Sequence, residues 1–185
     1  IVLVVTGGTA YWLKSRVPKV ESALVERMTL LLPDKPSIAV LPFDNLSGDA
    51  EQEYFSDGIT NDIITDLSKF SGLFVIASNS TFTYKGHPVK VQQVAEDLGV
   101  RYVLEGSVQR LGDQIRINAQ LIDATSGGHL WAERYERDAE DLFAVQSEII
   151  ETIVGTLAFR VDMVERERAL NKDTESLVAY DYFLL

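Results

Sequence analysis

Seven polar residues stand directly after two short apolar runs, at positions where they could together line a binding cleft. The first run, residues 37–43, reads SIAVLPF, and the second, residues 73–77, reads LFVIA. Such runs are typical of buried strands, and in open α/β sheets ligands bind beyond the carboxyl ends of the strands. The sequence therefore predicts one candidate cleft, with the competing interpretation that these are ordinary connecting loops. Its residues are Asp44, Asn45, Ser47, Asp49, Ser78, Asn79 and Tyr84.

Acidic residues are concentrated in the first of these loops and in the helix predicted after it. A calcium loop of the EF-hand type needs a central glycine and a terminal glutamate at fixed spacing, and that pattern is absent. Carboxylates near the amino terminus of a helix are expected from capping and from the helix dipole. We therefore predict no metal site among them. The residues are Asp44, Asp49, Glu51, Glu53, Asp57 and Asp62.

The remaining reactive residues do not form a catalytic set in the sequence. The two histidines, His87 and His129, have no partner at metal-ligand spacing. Ser78, Ser80 and Thr81 have no neighbouring base that would activate a hydroxyl. Neither a phosphate-binding loop nor a dinucleotide fingerprint occurs. We predict that this stretch of chain is not an enzyme and binds no cofactor.

The composition excludes further classes of function. The formal net charge is −11, from 28 acidic and 17 basic residues, whereas nucleic-acid binding needs a basic field. There is no cysteine, which excludes disulfides and thiol catalysis. Hydrophobic residues make up 46% of the chain, a proportion typical of a globular protein.

The elements that must position the cleft are organised around residues 101–135. Three extended segments are separated here by glycine-containing turns near residues 112 and 127. In the third segment Trp131 and Tyr135 share a face, yet Leu130 and Ala132 are also apolar. The register is therefore left open, and this strand could be covered on both sides. In the middle segment, polar residues alternate with Ile115, Ile117, Ala119 and Leu121.

Helices must cover the apolar face of this three-stranded meander, because such a sheet is not stable alone. The spacing of apolar residues predicts helices over residues 53–70, 91–98 and 139–170, with Gly72 and Gly99 as helix stops. The polar residues 78–88 could contain one helical turn. The predicted fold class is α/β, with a mixed sheet in the order β-α-β-α-β-β-β-α.

The amino-terminal residues have the pattern of a membrane span. Residues 1–13 carry no charge and are followed by Lys14 and Arg16, with Tyr11 and Trp12 at the interface. The run is shorter than the ~20 residues that a spanning helix needs. It is either the end of a truncated span, which we expect, or a buried helix. A charged connector follows and is broken by closely spaced prolines near residue 35.

Two segments of the chain resemble the TolB-like amino-terminal domain of multi-domain bacterial signalling proteins. The first is KPSIAVLPFDNLSGDAEQEYFSDGITNDIITDLSKFSGLFVIASNSTFTYKG, and the second is VAEDLGVRYVLEGSVQRLGDQIRINAQLIDATSGGHLWAERYERDAEDLFAVQSEI. In that family the domain lies between a membrane helix and tetratricopeptide repeats. The other side of the membrane carries a class III adenylate or guanylate cyclase domain, or a winged-helix DNA-binding domain. The likeness is greatest to the cyclase type.

The resemblance implies an α/β domain with a regulatory or interaction role, and its catalytic domain outside this stretch. With the patterns above it gives a truncated membrane segment at 1–13, a connector at 14–36, the domain at 37–170 and the first repeat helix within 171–185. The expected partner is a protein or small ligand, and the alternative is a passive spacer or the domain of a winged-helix regulator. The family is bound to the bacterial inner membrane with this domain in the periplasm, although Lys14, Arg16 and Lys19 favour a cytoplasmic flank.

Overall fold

The computed structural model of the chain describes residues 35–138, 142–171 and 181. The predicted membrane segment at 1–13 lies outside the described residues, as do most of the connector and most of the predicted repeat segment. Among the helices that are described, none has both the length and the apolarity that crossing a membrane requires.

One mixed sheet forms the centre of the domain. Its strands are β1 (Ser37–Val40), β2 (Asp44–Asn45), β3 (Phe74–Val75), β4 (Tyr102–Leu111), β5 (Gln114–Asp123) and β6 (Gly128–Asp138). Their order is β3-β1-β4-β5-β6, and β2 pairs with β4 beyond the end of β1. Strand β1 pairs in parallel with β3 and β4, and β2 pairs in parallel with β4, whereas β4, β5 and β6 form an antiparallel meander. This confirms the predicted fold class.

Four α-helices of the described residues pack around this sheet. They are α1 (Glu53–Leu67), α2 (Ser78–Thr81), α3 (Val91–Leu98) and α4 (Leu142–Asn171). Helices α1 and α4 cover one face, and α3 covers one end of the other face. The single helical turn predicted after β3 is present as α2 and is continued by a 3₁₀ turn. Helix α3 stops at Gly99, as predicted.

The larger hydrophobic core lies between the sheet and helices α1 and α4. Every second residue of β5 faces it, and Ile115, Ile117, Ala119 and Leu121 are each at most 1% exposed. The predicted alternation of β5 is therefore confirmed, and the helices supply the opposing apolar stripes. Their most deeply buried members are Ile59, Ile63, Leu67, Ile149, Ile153 and Leu157.

The meander turns at two glycines that adopt conformations disfavoured for other residues. Gly112 has φ 59° and Gly127 has φ 72°. A side chain at either φ would be strained, so glycine is the residue that allows each reversal.

The register of β6, which the sequence leaves open, is set by a bulge. Leu121 pairs with Trp131 and Ile122 pairs with His129, so that Leu130 has no partner on β5. Leu130 and Trp131 therefore both pack against the larger core. Ala132, on the opposite face, is exposed. The interpretation that β6 is covered on both sides is wrong, because the extra residue of the bulge accounts for the mixed apolar pattern.

The end of α1 differs from the prediction. The helix ends at Leu67, and the side chain of Ser68 donates a hydrogen bond to the carbonyl of Ile64 (2.7 Å). Phe70 lies beyond this end and is 41% exposed, so it is not part of the apolar stripe. Gly72 is not the helix stop, because the chain has already left the helix at Ser68.

The strand predicted as buried at residues 73–77 is a short edge strand. Only Phe74–Val75 pairs with β1, and Phe74 is 46% exposed. The loop at residues 44–53 is more ordered than predicted, since it contains β2 and a 3₁₀ turn at Ala50–Gln52. Continuous apolar runs identify strands but do not distinguish a central strand from an edge strand.

Candidate functional site

A groove lies on the face of the sheet opposite to α1 and α4. It has a volume of about 940 Å³ and exists because α3 covers only one end of this face. The floor comes from the polar positions of β4, β5 and β6, and the wall comes from the chain around residues 41–46 and 84–89. The floor includes Glu105, Ser107, Asn118, Gln120, Ala132 and Arg134.

The floor follows from the alternation of the meander strands. Odd-numbered residues of β5 are buried in the core, so Asn118 and Gln120 must face the other way. On the core side of the same strands, Gly106 lets the ring of Phe43 pack directly against the backbone. An added Cβ at Gly106 would lie 2.5 Å from that ring and 2.4 Å from the carbonyl oxygen of Asn118. The groove floor and the core are thus two sides of one layer of strands.

Hydrogen bonds connect the floor residues across the strands. Asn118 donates from Nδ2 to Ser107 Oγ (3.0 Å) and accepts from Arg134 Nε (3.4 Å). Gln120 donates from Nε2 to a carboxylate oxygen of Glu105. These bonds fix the positions of the side chains but do not use all of their hydrogen-bonding capacity. The Ser107 hydroxyl can still donate a hydrogen bond, and the Gln120 side-chain carbonyl can still accept one. The floor therefore offers oriented donors and acceptors to a ligand.

The charges lining the groove are mostly negative. Asp44 and Glu105 contribute carboxylates, and Arg134 contributes the guanidinium. A few oriented polar groups beside apolar walls are the usual make-up of a small-ligand site. This arrangement suits a polar ligand that carries hydrogen-bonding groups of both kinds.

The wall of the groove is fixed by hydrogen bonds around Tyr84. The Tyr84 hydroxyl donates to Asp97 Oδ2 of α3 (3.1 Å), and the Tyr84 carbonyl accepts from the backbone of His87 (3.0 Å). Burial, with the hydrogen bond to Asp97, raises the pKa of Tyr84 to about 12. Tyr84 is therefore a neutral hydroxyl at pH 7 and not a general base.

Lys85 ties this wall to α1. Its ammonium lies 2.6 Å and 2.7 Å from the two Asp57 oxygens and 2.8 Å from Glu53 Oε1. The hydrogen bond from Lys85 lowers the pKa of Glu53 below its ordinary value, against a smaller effect of burial. Burial by itself would lower the pKa of Lys85, but the hydrogen bonds to Asp57 and Glu53 outweigh it and raise that pKa. The cluster fixes the position of the wall.

The six acidic residues singled out in the sequence do not converge on one point. Glu53 and Asp57 pair with Lys85, whereas Asp62 accepts a hydrogen bond from Gln146 of α4 (2.6 Å). Asp49 accepts from the backbone of Glu51 (2.9 Å). Within residues 35–138 and 142–171, no group of three or more His, Asp or Glu side chains is arranged to hold a metal ion.

Two of the seven cleft residues predicted from the sequence, Asp44 and Tyr84, line the groove. Asn45, Ser47 and Asp49 instead build the loop around β2: Asn45 Nδ2 donates to the Asp49 carbonyl (2.8 Å) and Ser47 Oγ accepts from the Arg110 backbone (2.9 Å). Whether this loop also contacts a ligand stays a prediction.

The last two predicted residues, Ser78 and Asn79, begin α2 and lie outside the groove lining. Sequence reasoning missed the floor, because it searched only the loops after the parallel strands. The signal that could have revealed it is the run of polar residues at every second position of β4 and β5. Its members are Glu105, Ser107, Asn118 and Gln120.

Comparison with known sequences identifies a family that this chain matches. The family model described as "HilA/YgeH-like transcriptional regulator, second domain" matches residues 34–152. A curated protein of Rhizobium meliloti (strain 1021), named "Putative adenylate cyclase 3", is 63% identical over 150 residues. The match covers 81% of this chain and 26% of that protein, so the chain spans about a quarter of its relative.

Two solved structures are similar to this chain at lower sequence identity. Lipoprotein GNA1162 from Neisseria meningitidis has a TM-score of 0.50 and 20% identity, covering 66% of this chain and 98% of that one. TolB from Acinetobacter baumannii has a TM-score of 0.47 and 20% identity, covering 70% of this chain and 30% of TolB. The similarity to lipoprotein GNA1162 is evidence of a common fold and of nothing further.

Proposed function

We propose a sensory function for this chain, which belongs to the family of HilA/YgeH-like transcriptional regulators as their second domain. In this proposal the domain binds a small polar ligand, or a segment of a partner protein, in the groove above β4, β5 and β6. Binding there regulates an effector domain elsewhere in a larger bacterial signalling protein.

The groove itself carries the proposal. It combines a volume of about 940 Å³ with a floor of cross-linked polar side chains that retain hydrogen-bonding capacity. A passive spacer between a membrane helix and repeats has no need of a concave polar surface. The wall is also anchored to both α1 and α3, through Lys85 and Tyr84, so that a ligand at the wall could alter the packing of two helices.

The domain is proposed to be non-catalytic. In its groove the Ser107 hydroxyl is bonded to the Asn118 amide and Nδ1 of His87 to the Lys85 carbonyl, so these two lining residues are not paired as nucleophile and base. Any cyclase chemistry would lie in the part of the protein that this chain does not span. The curated relative leaves ample length for it, since the match covers 26% of that protein.

Two kinds of effector domain are supported by different observations. The 63% identity to a protein named as an adenylate cyclase favours a cyclase. The description of the matching family favours a transcriptional regulator. Because the identity extends over 150 residues, we propose the cyclase first.

The domain is proposed to lie in the periplasm, attached to the inner membrane through residues 1–13, with repeats beginning within residues 171–185. This proposal rests on the resemblance to the TolB-like domain of signalling proteins. A reporter enzyme that is active only in the periplasm, fused after residue 185 in the parent protein with its complete membrane span, should be active. Activity instead from a reporter that requires the cytoplasm would reverse the orientation.

A thermal-shift screen tests the binding function. A ligand that binds only the native state must raise the unfolding midpoint, and the stabilisation grows with the logarithm of its concentration once that exceeds the dissociation constant. We expect at least one component of a panel of amino acids, dipeptides and periplasmic extract fractions to raise the midpoint reproducibly. If no component does so at saturating concentrations, the passive spacer is the better account.

A further inference from the structure

Strand β6 forms one edge of the sheet. It is 11 residues long and pairs with β5 on one side, and no other strand of the described residues pairs with its outer side. An edge strand presents unpaired backbone donors and acceptors, and these form a template for another strand. Charged side chains usually protect such an edge from indiscriminate pairing.

The charges along β6 follow a self-complementary order. Residues 133–137 read Glu-Arg-Tyr-Glu-Arg. Two of these residues at the same distance before and after Tyr135 therefore always carry opposite charges. If two copies of β6 run antiparallel about a two-fold axis at Tyr135, Arg134 faces Glu136 of the second copy and Glu133 faces Arg137 of the second copy. Symmetry repeats both pairs, and every directly opposed charged pair at residues 133–137 is then attractive.

Neighbouring registers lack this property. An axis at Arg134 or at Arg137 places two guanidinium groups opposite each other, and an axis at Glu133 or at Glu136 does the same with two carboxylates. Like charges that are directly opposite destabilise a strand pair. The charge order therefore rejects four registers and accepts the one centred on Tyr135.

We propose that β6 pairs with β6 of a second copy of this chain in the register centred on Tyr135, giving one continuous sheet across the dimer. The faces agree with this register. Arg134 and Glu136 both lie on the groove face, opposite the β5 residues Asn118 and Arg116, whereas Glu133 and Arg137 lie on the other face. Each proposed pair thus joins two side chains on the same side of the joint sheet.

Existing ion pairs hold the edge charges near their proposed positions. Glu136 accepts from Arg116 (2.8 Å), and Arg137 donates to Glu148 of α4 (2.9 Å), while all four side chains stay at least 41% exposed. A second copy would extend each pair into a network. Because Arg134 also lines the groove, dimerisation would bring two grooves next to the same interface.

Charge reversal tests the register. Arg134→Glu and Glu136→Arg are each expected to weaken self-association of the full chain at least about tenfold, since each turns two attractive pairs into repulsive ones. An equimolar mixture of the two variants should associate again, because each new charge then faces its opposite on the other chain. Sedimentation velocity at low salt, where such pairs are least screened, would measure the mass.

The matched control is Lys69→Glu, which makes the same charge change on an exposed residue of another surface. This variant should dimerise like the wild type, and circular dichroism of all variants should show the native fold. Dimers of the wild type and of the mixture, with monomers of each single variant, are the expected result. A monomeric wild type, dimeric single variants or a monomeric mixture would each overturn the proposal.

Discussion

Ile117 and Gln120 stand three positions apart on β5 and face opposite sides of the sheet. Ile117 is fully buried, whereas Gln120 is half-buried on the groove floor and bonded to Glu105. Ile117→Ala should leave a cavity and lower the free energy of unfolding by about 2–5 kcal/mol. Gln120→Ala should cost less than about 1 kcal/mol. Urea melts of both variants measure the difference, and equal losses would contradict the assignment of faces.

The cluster around Lys85 should make stability depend on pH. The folded-state pKa of Glu53 is lowered, so its contribution is present above its ordinary value of 4.5 and is lost as the pH falls through the folded-state value. The folded-state pKa of Lys85 is raised, so its contribution is present below 10.5 and is lost as the pH rises through the folded-state value.

Lys85→Met should therefore destabilise the domain by about 1 kcal/mol at pH 7, a figure reduced for the partial exposure of these groups. The difference from the wild type should be smaller at pH 3 than at pH 7, because the contribution of Glu53 is lost progressively as the pH falls through its lowered pKa. Lys69→Met, which removes an exposed pair with Asp66, is the control and should change little at either pH. Melts that show the same loss for Lys85→Met at both pH values would refute the electrostatic account.

At the scale of elements, two glycines should respond oppositely to the same substitution. Gly106 is enclosed by Phe43 and by the backbone of Asn118, so Gly106→Ala should overpack the core and cost about 1–3 kcal/mol. Gly155 lies within α4, and apart from its own helix backbone no atom lies within 4 Å of an added Cβ, so Gly155→Ala should stabilise by about 0.5–1 kcal/mol. Thermal melts give both signs, and a destabilised Gly155→Ala would show that α4 is more closely packed than described.

Periodicity predicted the elements whose apolar residues repeat over many positions. The alternation of β5 and the stripes of α1 and α4 are long enough to define a buried face, and the structure confirms each of them. Short elements depend on tertiary pairing instead. Strand β2 has two residues and exists only because β4 extends past β1, and the bulge at Leu130 follows from the pairing of β6 with β5.

The groove likewise depends partly on the sequence pattern of single strands and partly on how the elements pack together. The polar positions of β5 are evident in the sequence. A polar face is, however, as typical of a strand that is simply exposed to solvent as of a strand that lines a binding site. The concave shape arises because α3 is only 8 residues long and covers one end of the face. No property of β5 itself specifies how far α3 extends, so the sequence indicated Asp44 and Tyr84 at the wall and missed the floor.

At the scale of the whole molecule, the purified chain should not make cyclic nucleotides. The described residues contain no metal-holding group of His, Asp or Glu, and the chain spans 26% of the relative named as a cyclase. Incubation with ATP or GTP and manganese should yield no cyclic AMP or cyclic GMP above the background of a heat-denatured sample. Product formation by the native chain would place the catalysis in this domain.

The groove is the centre of the account, and two substitutions on one strand test it most directly. Ser107 and Gln109 are both half-buried on the same face of β4, but only Ser107 lines the groove. The measurement is the thermal shift of the wild type, Ser107→Trp and Gln109→Trp with the strongest component of the ligand screen. We predict that the indole at position 107 obstructs the floor of the groove and abolishes the shift, whereas Gln109→Trp retains it. An unchanged shift in Ser107→Trp would show that the ligand binds elsewhere and would contradict the account.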